Sequence, residues 1–127
     1  FMAALGAKLM GLPIPLQAFA PRDMILLLVV APLLEELLFR FFLWIPFEKR
    51  GKPSAGLIAT TLLFSYAHAH SIWSVPTEWH DFIFYQTAYT LALGFVCGFM
   101  VWRWRSWVGA YLLHLAFNLG FWLALIF

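Results

Sequence analysis

Two carboxylates and a guanidinium, Glu35, Glu36 and Arg40, lie within a stretch from Met24 to Trp44 that is otherwise almost wholly apolar. A charge near the centre of a bilayer costs about 2.5–3.5 kcal/mol on insertion scales, so three on one segment demand a bundle interior that pairs or hydrates them. The rest of the chain makes a bilayer the relevant solvent. Of 127 residues, 64% are hydrophobic, 20% aromatic and 11% charged, against about 45–50% apolar and about 25% charged in soluble domains. At about 20 residues per crossing the length holds four or five spans and no separate soluble domain. A net charge of +2, with no basic run longer than Lys49-Arg50-Gly51-Lys52, gives nucleic-acid binding no support. The single cysteine, Cys97, has no partner for an internal disulfide and reads as a small packing residue.

Four apolar stretches of crossing length follow one another: Met24 to about Pro46, Ala55 to about His70, Phe82 to Trp102, and Ser106 to Phe127. The expected fold is therefore all-α, a polytopic transmembrane bundle of four main spans. An N-terminal interfacial or truncated helix precedes it over residues 1–20, where Lys8, Gly11, Pro13 and Pro15 interrupt the apolar run. That segment lacks the charged leader and cleavage site of a signal peptide. A chain that opens at Phe1 rather than Met is expected to be processed or part of a longer protein with further spans upstream. Asp23 is placed to cap the first span and Ser54 the second. Pro32 lacks an N–H and displaces the carbonyl of Leu28, so a kink is expected beside the carboxylates. Gly94 and Gly98 form a GxxxG that permits close helix approach.

The loop with Lys49, Arg50 and Lys52 and the connection Arg103-Trp104-Arg105 fall on one side of a four-span bundle, whereas residues 71–81 carry Glu78, Asp81 and no Lys or Arg. The positive-inside rule makes the two basic loops cytoplasmic. Trp44, Trp73, Trp79, Trp104 and Trp107 sit near span ends, as an aromatic belt would.

Glu36 and Arg40 are four apart and share a helix face, so they are placed for a salt bridge, while Glu35 is rotated about 100° away. One guanidinium holding both carboxylates would need awkward geometry, which leaves Glu35 free. In the second span Phe64 and His68 share a face; His70 points nearly opposite and is expected in solvent. Beyond its first turn, the last span has only two strongly polar side chains, His114 and Asn118, stacked one turn apart. Such residues can simply join membrane helices at about 0.6 kcal/mol per hydrogen bond. Depth argues for more. At about 1.5 Å per residue Glu35 is about 16 Å into its span, and His114 and Asn118 are about 12–18 Å into theirs. Both sets approach the midplane of a core about 30 Å thick.

A carboxylate and an imidazole around one water make a general base and a proton shuttle. A second imidazole and a carboxamide offer donors to a developing oxyanion, typically about 2.7–4 kcal/mol per donor. With no serine or cysteine beside a base at that depth, direct attack by an activated water is favoured over an acyl-enzyme.

Glu35-Glu36-x-x-x-Arg40, Phe64-x-x-x-His68 and His114-x-x-x-Asn118, in this order on successive helices, resemble the CAAX-prenyl-protease and bacteriocin-processing (CPBP, or Abi) family of intramembrane endopeptidases. The resemblance covers about Met24 to Asn118. It implies a single intramembrane protease domain over residues 1–127, with the catalytic bundle from 24. It further implies that Glu35 activates water with help from His68, that His114 and Asn118 stabilise the oxyanion, and that Glu36, Arg40 and Phe64 support the site. The substrate it implies is a membrane-bound peptide or protein, prenylated or otherwise lipid-anchored. Metal-dependent and metal-free accounts of such enzymes both exist. No HExxH is present, which favours no cofactor; the zinc alternative takes Glu35, His68 and His114 as ligands. Competing readings are a non-catalytic bacteriocin-immunity or interaction protein, a proton-coupled transporter subunit, and a haem protein using His68 and His114.

Overall fold

The computed structural model describes residues 2–14 and 24–126, with the last two by their backbone alone, so Arg22 and the expected cap Asp23 lie outside it. All regular structure among the described residues is helical. Helix α1 is Met2–Leu9. It closes on Gly11, whose φ of 66° is open to glycine at little cost. There the Leu12 N–H reaches back to the Ala7 carbonyl at 3.0 Å in the manner of a Schellman motif.

Helix α2 covers residues 26–42 and changes its winding twice. Leu26–Val30 is π-helical, Ala31–Glu36 is α-helical and Leu37–Phe42 is π-helical again. Pro32 has no N–H for an ordinary i−4 bond, and the turn before it is wider: the Ala31 N–H bonds the Leu26 carbonyl, five residues back. The second wide turn ends with the Leu43 N–H on the Leu38 carbonyl at 2.9 Å. Around Pro32, where a kink is expected, the helical winding is unbroken and is π on both sides of the glutamates, and π turns inside α-helices are frequent at functional sites.

Four further helices follow among the described residues: α3 Ile45–Lys49, α4 Pro53–Ala69, α5 His80–Trp104 and α6 Trp107–Ile126. The 3₁₀ turns His70–Ser74 and Thr77–Trp79 bridge α4 and α5. Two sequence expectations are corrected here. Ser54 is not the cap of α4: Pro53 is the first helical residue and Lys52 takes the cap position without a side-chain bond, since a proline at N1 needs no donor and arrives with the right φ. The connection after α5 is also shorter than Arg103-Trp104-Arg105. The helix runs through Trp104, Arg105 turns the chain at a left-handed φ of 55°, and Ser106 Oγ accepts the Gly109 N–H at 3.0 Å to begin α6.

Helix α5 packs along α4 and α6, and α6 also meets α1 and α2. The apolar interior is in two parts. One gathers Ala3, Ala4 and Ala7 of α1 with Phe82, Ile83, Phe121 and Ala124. The other gathers Trp44, Leu57, Leu93, Cys97, Val101 and Ala110. Trp44 is only 2% exposed, which corrects its place in the aromatic belt: it lies four residues after Arg40, on the inward stripe. Trp73 and Trp104, by contrast, are exposed. Glu48 pairs with Arg105, so the end of α3 and the α5–α6 turn meet at the same end of the bundle.

The outside is apolar too. Leu26, Ile58, Leu62, Phe84, Phe95 and Leu112 are all exposed, on four different helices. Residues Thr77–Trp104 and Trp107–Ala124 are long and apolar enough to cross a membrane.

Candidate active site

Four-residue spacing along α2 places Glu36, Arg40 and Trp44 on one stripe, and none is more than 2% exposed. Arg40 Nε lies 3.5 Å from Glu36 Oε2, and Arg40 Nη2 donates to the Gly94 carbonyl at 2.9 Å. Its guanidinium carbon sits 5.2 Å from the Phe64 ring centre and 5.9 Å from that of Phe39, within cation–π range. Gly94 makes this possible. A Cβ there would fall 2.9 Å from Phe64 Cδ1 and 3.3 Å from Arg40 Nη2. The GxxxG of α5 thus does more than bring two helices together, because it opens a backbone carbonyl to the buried cation.

His114 of α6 links the two carboxylates. Its Nδ1 is 3.0 Å from Glu36 Oε1, and its Nε2 is 3.7 Å from Glu35 Oε2. Glu36, held by Arg40 on its other oxygen, accepts the Nδ1–H. His68 is fixed from within its own helix: its Nδ1 is 3.0 Å from the Phe64 carbonyl. A carbonyl only accepts, so that contact assigns the proton to Nδ1 and leaves the Nε2 lone pair free. The buried Phe64 ring lies between the imidazoles, 4.8 Å from His68 and 5.5 Å from His114 between ring centres. Asn118, one turn along from His114, donates from Nδ2 to the Leu27 carbonyl at 3.4 Å.

Glu35, His68, His114 and Asn118 all line one cavity of about 260 Å³. The Glu35 side chain keeps 32% of its surface open, against 0% for Glu36. His70 is exposed and faces elsewhere. The remaining wall is largely apolar, with Phe82, Phe117, Phe121 and Trp122. It also holds Gln86, Tyr89 and Thr90 of α5, which sequence reasoning passed over. Their i, i+3, i+4 spacing was the available signal, since it marks one polar face on a helix otherwise read only for its glycines.

The zinc alternative takes Glu35, His68 and His114 as its donors. Among the described residues no group of three or more His, Cys, Asp or Glu side chains is arranged to hold a metal ion. Both nitrogens of His114 face carboxylates, and His68 Nδ1 is committed to a carbonyl.

A carboxylate open to a cavity, a free imidazole lone pair and a second imidazole beside that carboxylate are the parts of a water-activating site. Residues 17–120 match the family described as Type II CAAX prenyl endopeptidase Rce1-like, and the chain belongs to that family. It is thus a member of a peptidase family, and its two long apolar helices are consistent with a membrane protein. No curated protein and no solved structure matches the chain.

Proposed function

We propose that the protein is an intramembrane endopeptidase that hydrolyses a peptide bond of a lipid-anchored, prenylated substrate with a water activated by Glu35. The observation that carries this reading is the convergence of Glu35, His68, His114 and Asn118 on one cavity. Glu35 is the general base: its carboxylate is the one open to the cavity, while Glu36 is sealed. His68, accepting at Nε2, holds the second hydrogen of the water. Attack on the substrate carbonyl places negative charge on its oxygen. Asn118 Nδ2 turns from its long bond to Leu27 toward that oxygen, and His114, held by its Nδ1–H on Glu36, lies one turn away as the second side chain of the oxyanion site. The proton taken by Glu35 passes to the leaving amine, so the hydrolysis is balanced without another reactant.

Helices α2 and α4 are read as spans alongside α5 and α6, within a single protease domain over residues 1–127. Their exposed Leu26, Ile58 and Leu62 are stable against lipid and costly against water. The basic loops at the Glu48–Arg105 end are read as cytoplasmic.

The test is cleavage of a prenylated peptide in proteoliposomes by wild type and Glu35→Gln, with and without phenanthroline. Loss of cleavage in Glu35→Gln and full activity with the chelator are expected. Zinc-reversible loss on chelation would return Glu35, His68 and His114 to the role of ligands, and unchanged cleavage by Glu35→Gln would remove the assigned base.

A further inference from the structure

A second cavity, of about 510 Å³, lies at the end of the bundle away from Phe82 and Phe121 and is walled by Arg40, Trp44, Ile45, Val101 and Trp107, with Glu48 and Arg105 also in its lining. Arg40 is 1% exposed and Trp44 is 2% exposed. Arg40 Nη1 and Trp44 Nε1 are buried with no hydrogen-bond partner, and both groups can only donate. Glu48 and Arg105 are well exposed, at 45% and 60% of their side-chain surface, and they pair with each other. The lining thus runs from ionic groups in solvent to buried, unanswered N–H donors on Trp44 and Arg40, about one and two helical turns before Glu48 in the chain.

We propose that this cavity is a water-filled vestibule, entered beside the Glu48–Arg105 pair, that hydrates Arg40 and Trp44 from the opposite end of the bundle to the cavity of Glu35. Its occupant must accept hydrogen bonds. It must also be neutral, because Arg40 is matched by Glu36 and Arg105 by Glu48. Water meets both conditions and brings hydrogens of its own for further partners, and the volume exceeds the roughly 30 Å³ that one water occupies in the liquid. Buried ionic groups in membrane bundles are tolerated where they line such cavities. The inference is independent of the peptidase reading, since none of its residues lines the Glu35 cavity.

Two measurements on the full chain in proteoliposomes test it. In the first, Val101→Cys and Leu57→Cys are compared in a Cys97→Ala background using a charged, membrane-impermeant thiosulfonate. Val101 and Leu57 are equally well buried, at 5% and 4% exposure, but only Val101 lines the vestibule. Val101→Cys is expected to react at least tenfold faster than Leu57→Cys, and Ile45→Trp is expected to abolish the difference by filling the entrance. The second uses the wild-type side chains: the indole N–H of Trp44, assigned by its loss in Trp44→Phe, is expected to exchange with heavy water at least tenfold faster than backbone amides in the middle of α5. Equal labelling of the two cysteines, labelling of Val101→Cys only by a lipid-soluble maleimide, or a Trp44 indole as protected as those amides would overturn the proposal; the maleimide result would mark the cavity as filled by lipid.

Discussion

Glu35 and Glu36 are joined by one peptide bond and live in different surroundings. Glu36 faces a sealed compartment, 0% exposed, between Arg40 and His114. Glu35 opens on the cavity, keeps a third of its surface free and touches the sealed compartment only through His114 Nε2 at 3.7 Å. The step of about 100° between neighbours on a helix is enough to separate a carboxylate enclosed between a cation and an imidazole from one that opens on a cavity. Burial with partners makes a charge structural; partial exposure in a cavity with a loose partner leaves it available for proton transfer.

Substitutions on the two sides should therefore fail in different ways. On the open side, Glu35→Gln is expected to lower kcat by about 10²–10⁴, because glutamine keeps shape and hydrogen bonding but cannot take the water's proton. Its melting temperature in detergent should stay near wild type; a large drop would mean that Glu35 is as structural as its neighbour. On the sealed side, Arg40→Ala strands Glu36 and is expected to cost about 3–5 kcal/mol of stability. A thermal denaturation curve that overlays wild type would show that the compartment is not sealed at all.

Asn118→Ala removes one donor beside the open cavity while His114 remains. A loss of about 10²–10³ in kcat is expected, less than for Glu35→Gln; in a kinetic comparison, the reverse order would move the role of Asn118 from the oxyanion to the folding of the Leu27 turn. Gly94→Ala puts a methyl between Phe64 and Arg40. It is expected to cost about 1–3 kcal/mol, as overpacking does, with little change in kcat for the molecules that stay folded. A stability loss under a few tenths of a kcal/mol would show that Phe64 and Arg40 have room to move. Ser106→Ala lies apart from both sides and removes the cap of α6, for about 1 kcal/mol in a melt and no change in kcat. Reduced activity at equal folding would break the separation between helix ends and site.

Much of this contrast was legible before any coordinates. The i, i+4 spacing of Glu36 and Arg40 pointed to their pair, and the spacing of Phe64 and His68 and of His114 and Asn118 pointed to shared faces, because helix periodicity is a property of the backbone. The limits of α4 and α5 were close to the apolar runs for the same reason. Other features depended on long-range contacts. Trp44 near a span end looks like an interfacial residue until its place on the Glu36–Arg40 stripe is seen to face Leu57 and Cys97. The π winding has no residue signature beyond Pro32, since α and π turns draw on the same side chains. His114 as a link between both carboxylates was hidden as well: 78 residues separate it from Glu36, and only packing of α6 on α2 brings them within a hydrogen bond.

The division of the apolar interior has a mechanical consequence. The two clusters share no buried residue, and Phe117, partly buried, packs on both and also lines the Glu35 cavity. In the first cluster α1 itself contributes three buried alanines and one hydrogen bond, from the Tyr85 hydroxyl to the Ala3 carbonyl, against Phe82, Ile83 and Phe121, and a methyl buries little area compared with a leucine or phenylalanine. In the second cluster Trp44 and Leu57 pack against Leu93, Cys97 and Val101 of α5 and Ala110 of α6. Helix α1 is therefore the piece of the first cluster that costs least to release: its alanines bury little area, whereas Phe82, Ile83 and Phe121 belong to α5 and α6 and stay packed with them.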